Sequence, residues 1–191
     1  MIGIIFGPPG SGKGTQAKRI EKEFHLAHLS TGQILRDEVA RGTEIGREVA
    51  RAMAAGDLVP DDIIVSIVRE RLPESESGPG VLFDGFPRTV EQARALDEML
   101  ADEGHRVDFV IALEVPESEL VDRILHRAAI EGRPDDTPEA IAERMLEYHK
   151  LTEAVLEYYG KQGVRVEVVD GTGDADAVFE RIRRAIGISS R

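Results

Sequence analysis

The chain has 191 residues, 36 acidic against 24 basic side chains, a formal net charge of -12 and no cysteine. That length suits one compact domain, and a composition 41% hydrophobic and 31% charged is that of an ordinary soluble globular protein. The acidic surplus disfavours broad binding to nucleic acid or an anionic membrane, and the lack of cysteine excludes a disulfide framework or a thiolate metal site and suits a reducing cytoplasm.

In chain order, Met1 to Phe6 has no basic leader and too short an apolar run for a secretory signal, and reads as a first buried strand over 2–6. Further strands are expected near 27–29 and over 80–84, 109–113 and 164–169. Such unbroken apolar runs suit parallel strands buried on both faces. Helical patterns fall between them at 13–24, 31–41, 43–55, 61–72, 89–103, 117–130, 138–159 and 175–186. Thr137 and Pro138 read as N-cap and first helical residue, and Gly56, Gly104 and Gly160 as terminators. Strands alternating with helices predict an α/β fold with a ligand beyond the carboxyl ends of the strands. Residues 30–59 read as a small helical excursion over that edge, and the stretch from Ile130 to Pro138, with Gly132, Arg133 and Pro134, as an exposed loop.

The chemistry is carried first by Gly7-Pro8-Pro9-Gly10-Ser11-Gly12-Lys13-Gly14-Thr15, a G-x-x-x-x-G-K loop directly after a predicted strand and before a predicted helix. Glycines let backbone N–H groups converge on phosphate oxygens, the helix N-terminus favours anions, and Lys13 adds a point charge for the β- and γ-phosphates. The residue after the lysine is Gly14, so Thr15 is the nearest hydroxyl for magnesium. A glycine-rich turn that merely caps a helix is the plain alternative. Asp84 ends the apolar run Val81-Leu82-Phe83 where an acid near magnesium is expected, although a turn-capping aspartate looks the same. Arg123 and Arg127 stand at i, i+4 on one helical face, with Arg133 and Arg144 beyond them. Their forked guanidinium groups suit phosphate, and pairing with acids such as Glu131, Asp135 and Glu143 is the competing use. Arg36 and Arg88 follow predicted strand ends and should face the crevice.

Together GPPGSGKGT, STGQILR, GDLVPDD, FDGFPRTVEQ, GRPDD and ERMLEYH resemble the adenylate kinase family in order and spacing across nearly the whole chain. The resemblance implies a P-loop three-layer fold around a five-stranded parallel sheet. It divides the chain into a core of 1–29, 60–126 and 138–191, a monophosphate-binding insertion of 30–59 and a lid of 127–137. It implies reversible, magnesium-dependent phosphoryl transfer from ATP to AMP, giving two ADP, by a cytoplasmic monomer without nucleic-acid or membrane partners. Lys13, Arg88, Arg127, Arg133 and Arg144 would be catalytic. ATP would be held by Gly10, Ser11, Gly12, Lys13, Gly14, Thr15, Arg123, Arg127 and, through its backbone, Gly173. AMP would be held by Thr31, Arg36, Asp57, Leu58, Val59, Gly85, Phe86, Pro87, Arg88, Gln92, Arg133 and Arg144. Thr15 and Asp84 would meet magnesium through water. The short lid and the lack of cysteine exclude the zinc-binding form, and His25, His28, His105, His126 and His149 form no ligand-spaced cluster.

Rival readings are a UMP/CMP kinase on the same scaffold and a non-catalytic module that senses adenine nucleotides. Alanine at the place of Thr31 and asparagines at those of Thr89 and Gln92 would mark the first. Retention of Lys13, Asp84, Arg88, Arg133 and Arg144 argues against the second.

Overall fold

A computed structural model describes residues 1–75, 80–131 and 137–187. The strands are β1 (Ile2–Phe6), β2 (Ala27–Ser30), β3 (Val81–Asp84), β4 (Phe109–Glu114) and β5 (Arg165–Asp170). The helices are α1 (Lys13–Phe24), α2 (Thr31–Arg41), α3 (Glu44–Ala55), α4 (Asp61–Ser75), α5 (Val90–Asp102), α6 (Glu117–Glu131), α7 (Pro138–Glu147), α8 (Glu153–Lys161) and α9 (Ala175–Gly187). The five strands form one sheet in the order β2-β3-β1-β4-β5, and every pairing is parallel.

Alternation along the strands divides the core into two layers. Ile2, Ile4 and Phe6 of β1 point with Val81, Phe83 and Val110 toward α4, α5 and α8, where Ile67, Leu96, Leu100 and Tyr159 are buried. Ile5, Leu82, Ile111 and Leu113 point the other way, onto Ala17 and Ile20 of α1 and Val178, Ile182 and Ile186 of α9. The three central strands are therefore apolar on both faces, which explains their unbroken apolar runs. Gly3 interrupts β1 because the ring of Phe109 occupies the place of its missing Cβ.

Helix boundaries follow local chemistry. Thr43, Thr89 and Thr137 cap α3, α5 and α7 by accepting from Gly46, Gln92 and Ala140, while Gly56 at φ 86° ends α3. The single helix expected over 138–159 is interrupted: Tyr148–Thr152 form a π-turn between α7 and α8. Such bulges frequently occur at functional sites, and Tyr148, Leu151 and Thr152 line the cleft described below. Gly160 does not terminate α8, which runs on to Lys161. A glycine in the last turn costs at most about 1 kcal/mol, and the left-handed turn falls instead on Gly163, at φ 76°.

Candidate active site

The chain leaves β1, β2 and β3 at their carboxyl ends, and these exits converge on a cleft of about 1140 Å³. Its first wall is the loop from Gly7 to Thr15. Gly10 and Gly12 adopt φ of 82° and 85°, left-handed values that glycine reaches without strain. A Cβ on Gly10 would come within 2.9 Å of the Leu120 carbonyl and 2.8 Å of Ile124 Cγ1, so the loop lies against α6 with no room for a side chain. Lys13 and Gly14 begin α1 at the cleft, and Thr15 is exposed beside them. Ser11 is buried under the loop, its hydroxyl where a side chain on Gly7 would stand.

Asp84 closes the floor. Register places it beside Ser30 of β2 and Ile5 of β1, and its Oδ2 lies 4.0 Å from the place a Gly14 Cβ would take. Burial pushes the carboxyl pKa up, but the hydrogen bond from His28 and the charges of Lys13, His28 and Arg88 outweigh it and hold the net value below the ordinary one. The His28 contact is 3.3 Å long, and an ionised carboxylate only accepts, so His28 Nε2 carries the proton. His28 was expected to belong to no ligand-spaced cluster, and no spacing rule connects residues 28 and 84 before the strands are paired.

Opposite the loop, Gly85-Phe86-Pro87-Arg88 turns sharply, with a cis peptide between Phe86 and Pro87. The Gly85 carbonyl accepts from Thr31 Oγ1 and from Arg88 Nε, each at 3.0 Å. These bonds aim the Arg88 guanidinium into the cleft between Arg36 and Arg144. Burial lowers the Arg88 pKa, and the like charges of Arg144 and Arg36 lower it further against the opposing pull of Asp84. Three guanidinium groups facing one another in a half-buried space form a polyanion site. Arg36 is held by Gln33 Oε1 at 3.0 Å, and Arg144 reaches the Met53 carbonyl at 3.4 Å.

Asp57, Leu58, Val59, Gly85, Pro87 and Gln92 also line this half of the cleft. Phe86 turns its ring into the core, 6.1 Å from Phe83, so only its backbone is available to a ligand. Arg123 also lines the cleft, anchored to Gly171 O at 3.1 Å and Glu119 at 2.9 Å. Gly173 sits in the loop after β5 at φ 93° and is not among the described residues of the cleft wall. Arg133 and the Arg127 side chain lie outside the described residues, as do residues 132–136 of the 127–137 segment as a whole. Arg71 of α4, His126, Glu147 and Tyr148 line the cleft without having been expected there.

Comparison with known proteins shows the family. A family model described as adenylate kinase matches residues 5–164. The chain belongs to the adenylate kinase family. It is 52% identical over 185 residues to an adenylate kinase of Thermus thermophilus, covering 97% of this chain and 96% of that one. It is 49% identical over 183 residues to an adenylate kinase of Maricaulis maris, covering 96% and 97%, and 46% identical over 183 residues to one of Caulobacter vibrioides, covering 96% and 95%. Membership accounts for the two-sided cleft, since a phosphotransferase of this family must seat a donor and an acceptor along one sheet edge.

Proposed function

We propose that this chain catalyses reversible transfer of the γ-phosphoryl group of ATP to AMP, giving two ADP. The observation that carries the reading is the convergence of Arg36, Arg88 and Arg144 opposite Lys13 and the glycine loop. One anion site made of backbone N–H groups faces a second made of guanidinium forks, which is what in-line transfer between two phosphate chains requires.

In this reading, Gly10 to Thr15 bind the ATP phosphates and Arg123 flanks the nucleoside. Thr31, Arg36, Asp57 to Val59, Gly85 to Arg88 and Gln92 hold AMP. Arg88 and Arg144, with Arg127 and Arg133, neutralise charge on the transferred group. The hard oxygen donors of a magnesium site are at hand: a largely buried Asp84 carboxylate on the cleft wall, its pKa held low by His28, Lys13 and Arg88, and the exposed Thr15 hydroxyl on the first turn of α1. Magnesium held there through water would supply charge neutralisation to the donor phosphates. The acceptor phosphate is already ionised near neutral pH, so no general base is needed, and the main demand on the protein is to keep water away from the reacting group.

We also read the enzyme as a cytoplasmic monomer acting on free nucleotides. No helix among the described residues is long and apolar enough to cross a membrane. Phosphoryl transfer from ATP to a panel of nucleoside monophosphates tests the reading. AMP should be the preferred acceptor, and preference for CMP or UMP would overturn it.

A further inference from the structure

Gln92 is only 2% exposed, yet it reaches the cleft. Its carboxamide is held by anchors that each have one role. The backbone N–H of Arg88 donates to Oε1 at 2.7 Å, and Nε2 donates to Asp61 Oδ1 at 2.6 Å. A backbone N–H cannot accept and a carboxylate cannot donate, so the amide flip is determined by its partners. The second Asp61 oxygen accepts from Thr89 Oγ1 at 2.8 Å. With its hydrogen committed there, the Thr89 hydroxyl accepts the Gln92 backbone N–H at 3.1 Å. Every bond in this network runs toward Asp61, which stands at the first turn of α4 and is not itself among the cleft-lining residues.

The anchored amide keeps one lone pair on Oε1 and one hydrogen on Nε2. An acceptor beside a donor, in that fixed order, fits a base edge offering donor and acceptor in the matching order. The 6-amino group and N1 of adenine do so. Hypoxanthine, with a 6-oxo group and an N1 hydrogen, offers the reverse, and would need the amide flipped against both anchors.

We propose that Asp61 is a specificity-determining positioning residue: by fixing the Gln92 amide it makes the acceptor pocket select 6-amino over 6-oxo purine monophosphates. The proposal rests on reading this half of the cleft as the AMP site. Loss of a site's oriented polar contact removes discrimination that apolar packing cannot supply.

The test is Asp61→Asn in the full chain, with kcat and KM measured for AMP and IMP at saturating ATP and magnesium. Asparagine keeps the shape but can turn either an oxygen or an amino group to Gln92, so only the Arg88 backbone N–H still opposes the flip. The ratio of kcat/KM for AMP over IMP should fall by about tenfold, mainly through KM for AMP, while KM for ATP stays within about twofold. This ratio is independent of the active fraction, so a purely structural defect leaves it unchanged. An unchanged ratio overturns the proposal. Should the variant fail to fold, Thr89→Val removes the hydroxyl from the same network and should lower the ratio less; no change there overturns it equally. Gln92→Ala separates the two levels of inference. If it abolishes discrimination while Asp61→Asn retains it, the role of Asp61 falls and the AMP reading stands. If the unaltered enzyme does not phosphorylate AMP, the AMP reading itself falls.

Discussion

The glycine loop and the arginine pocket face each other across one cleft but are built from different materials. Gly7 to Thr15 is contiguous, and its chemistry lies in backbone geometry: left-handed glycines and the start of α1. The arginine pocket draws Arg36 from α2, Arg88 from the turn after β3, Gln92 from α5 and Arg144 from α7. Its chemistry lies in side chains from separate elements, Arg144 and Gln92 held across segments by the Met53 carbonyl and Asp61, and Arg36 and Arg88 held locally by Gln33 and the Gly85 carbonyl. Asp84 stands between the halves, its carboxyl pKa lowered by Lys13 on one side and Arg88 on the other. A backbone site is sensitive to added atoms, whereas a side-chain site is sensitive to removed ones.

The largest effect separating the halves should come from the transfer step. Lys13→Ala and Arg88→Ala should each cut kcat by roughly a thousandfold with the fold intact. A coupled ADP assay with thermal unfolding checks this, and near-normal turnover would break the account. Next in size, Arg36→Ala should raise KM for AMP by about tenfold or more and leave KM for ATP unchanged, which steady-state kinetics on each substrate would reveal. A comparable rise in both would mean the two halves are not separable.

Gly10→Ala should do the converse. A left-handed alanine costs about 1–2 kcal/mol, and the added methyl meets α6 at the Leu120 carbonyl and Ile124. Stability in urea should fall by that amount or more, and KM for ATP should rise without change in KM for AMP. The smallest effect concerns Asp84. Lys13→Met or Arg88→Met removes a cation that lowers its pKa, so the carboxyl should titrate at higher pH in either variant, read by carbon NMR. The sign for stability follows: the depressed folded pKa contributes stability above the unfolded carboxyl value of about 3.9. That contribution is lost as pH falls through the lower folded value, so acid unfolding should begin at higher pH in both variants.

The same contrast explains what could be read in the sequence. The strands and the glycine loop were legible because each is local: a buried parallel strand is an apolar run, and the loop is one motif after one strand. Arg36 and Arg88 were expected at the crevice from the predicted strand ends, but their meeting with Arg144 in one site came only through resemblance, because nothing in the spacing of residues 36, 88 and 144 brings them together before the sheet is assembled. His28 and Asp61 were not identified at all. His28 depends on the β2-β3 register that sets Ser30 beside Asp84, and Asp61 on α4 meeting α5 at Thr89 and Gln92. The π-turn at Tyr148–Thr152 escaped because its residues fit an uninterrupted helix equally well in composition and periodicity.

That one cleft joins a backbone-built ATP site to an arginine-built AMP site is the proposal to be tested. Its most direct test is ADP formation from ATP and magnesium with AMP, CMP, UMP, GMP and IMP supplied singly at equal concentration. The account predicts that AMP gives the highest kcat/KM and that two ADP appear for each ATP consumed. ATP loss without AMP loss, or a higher kcat/KM with a pyrimidine monophosphate, would contradict it.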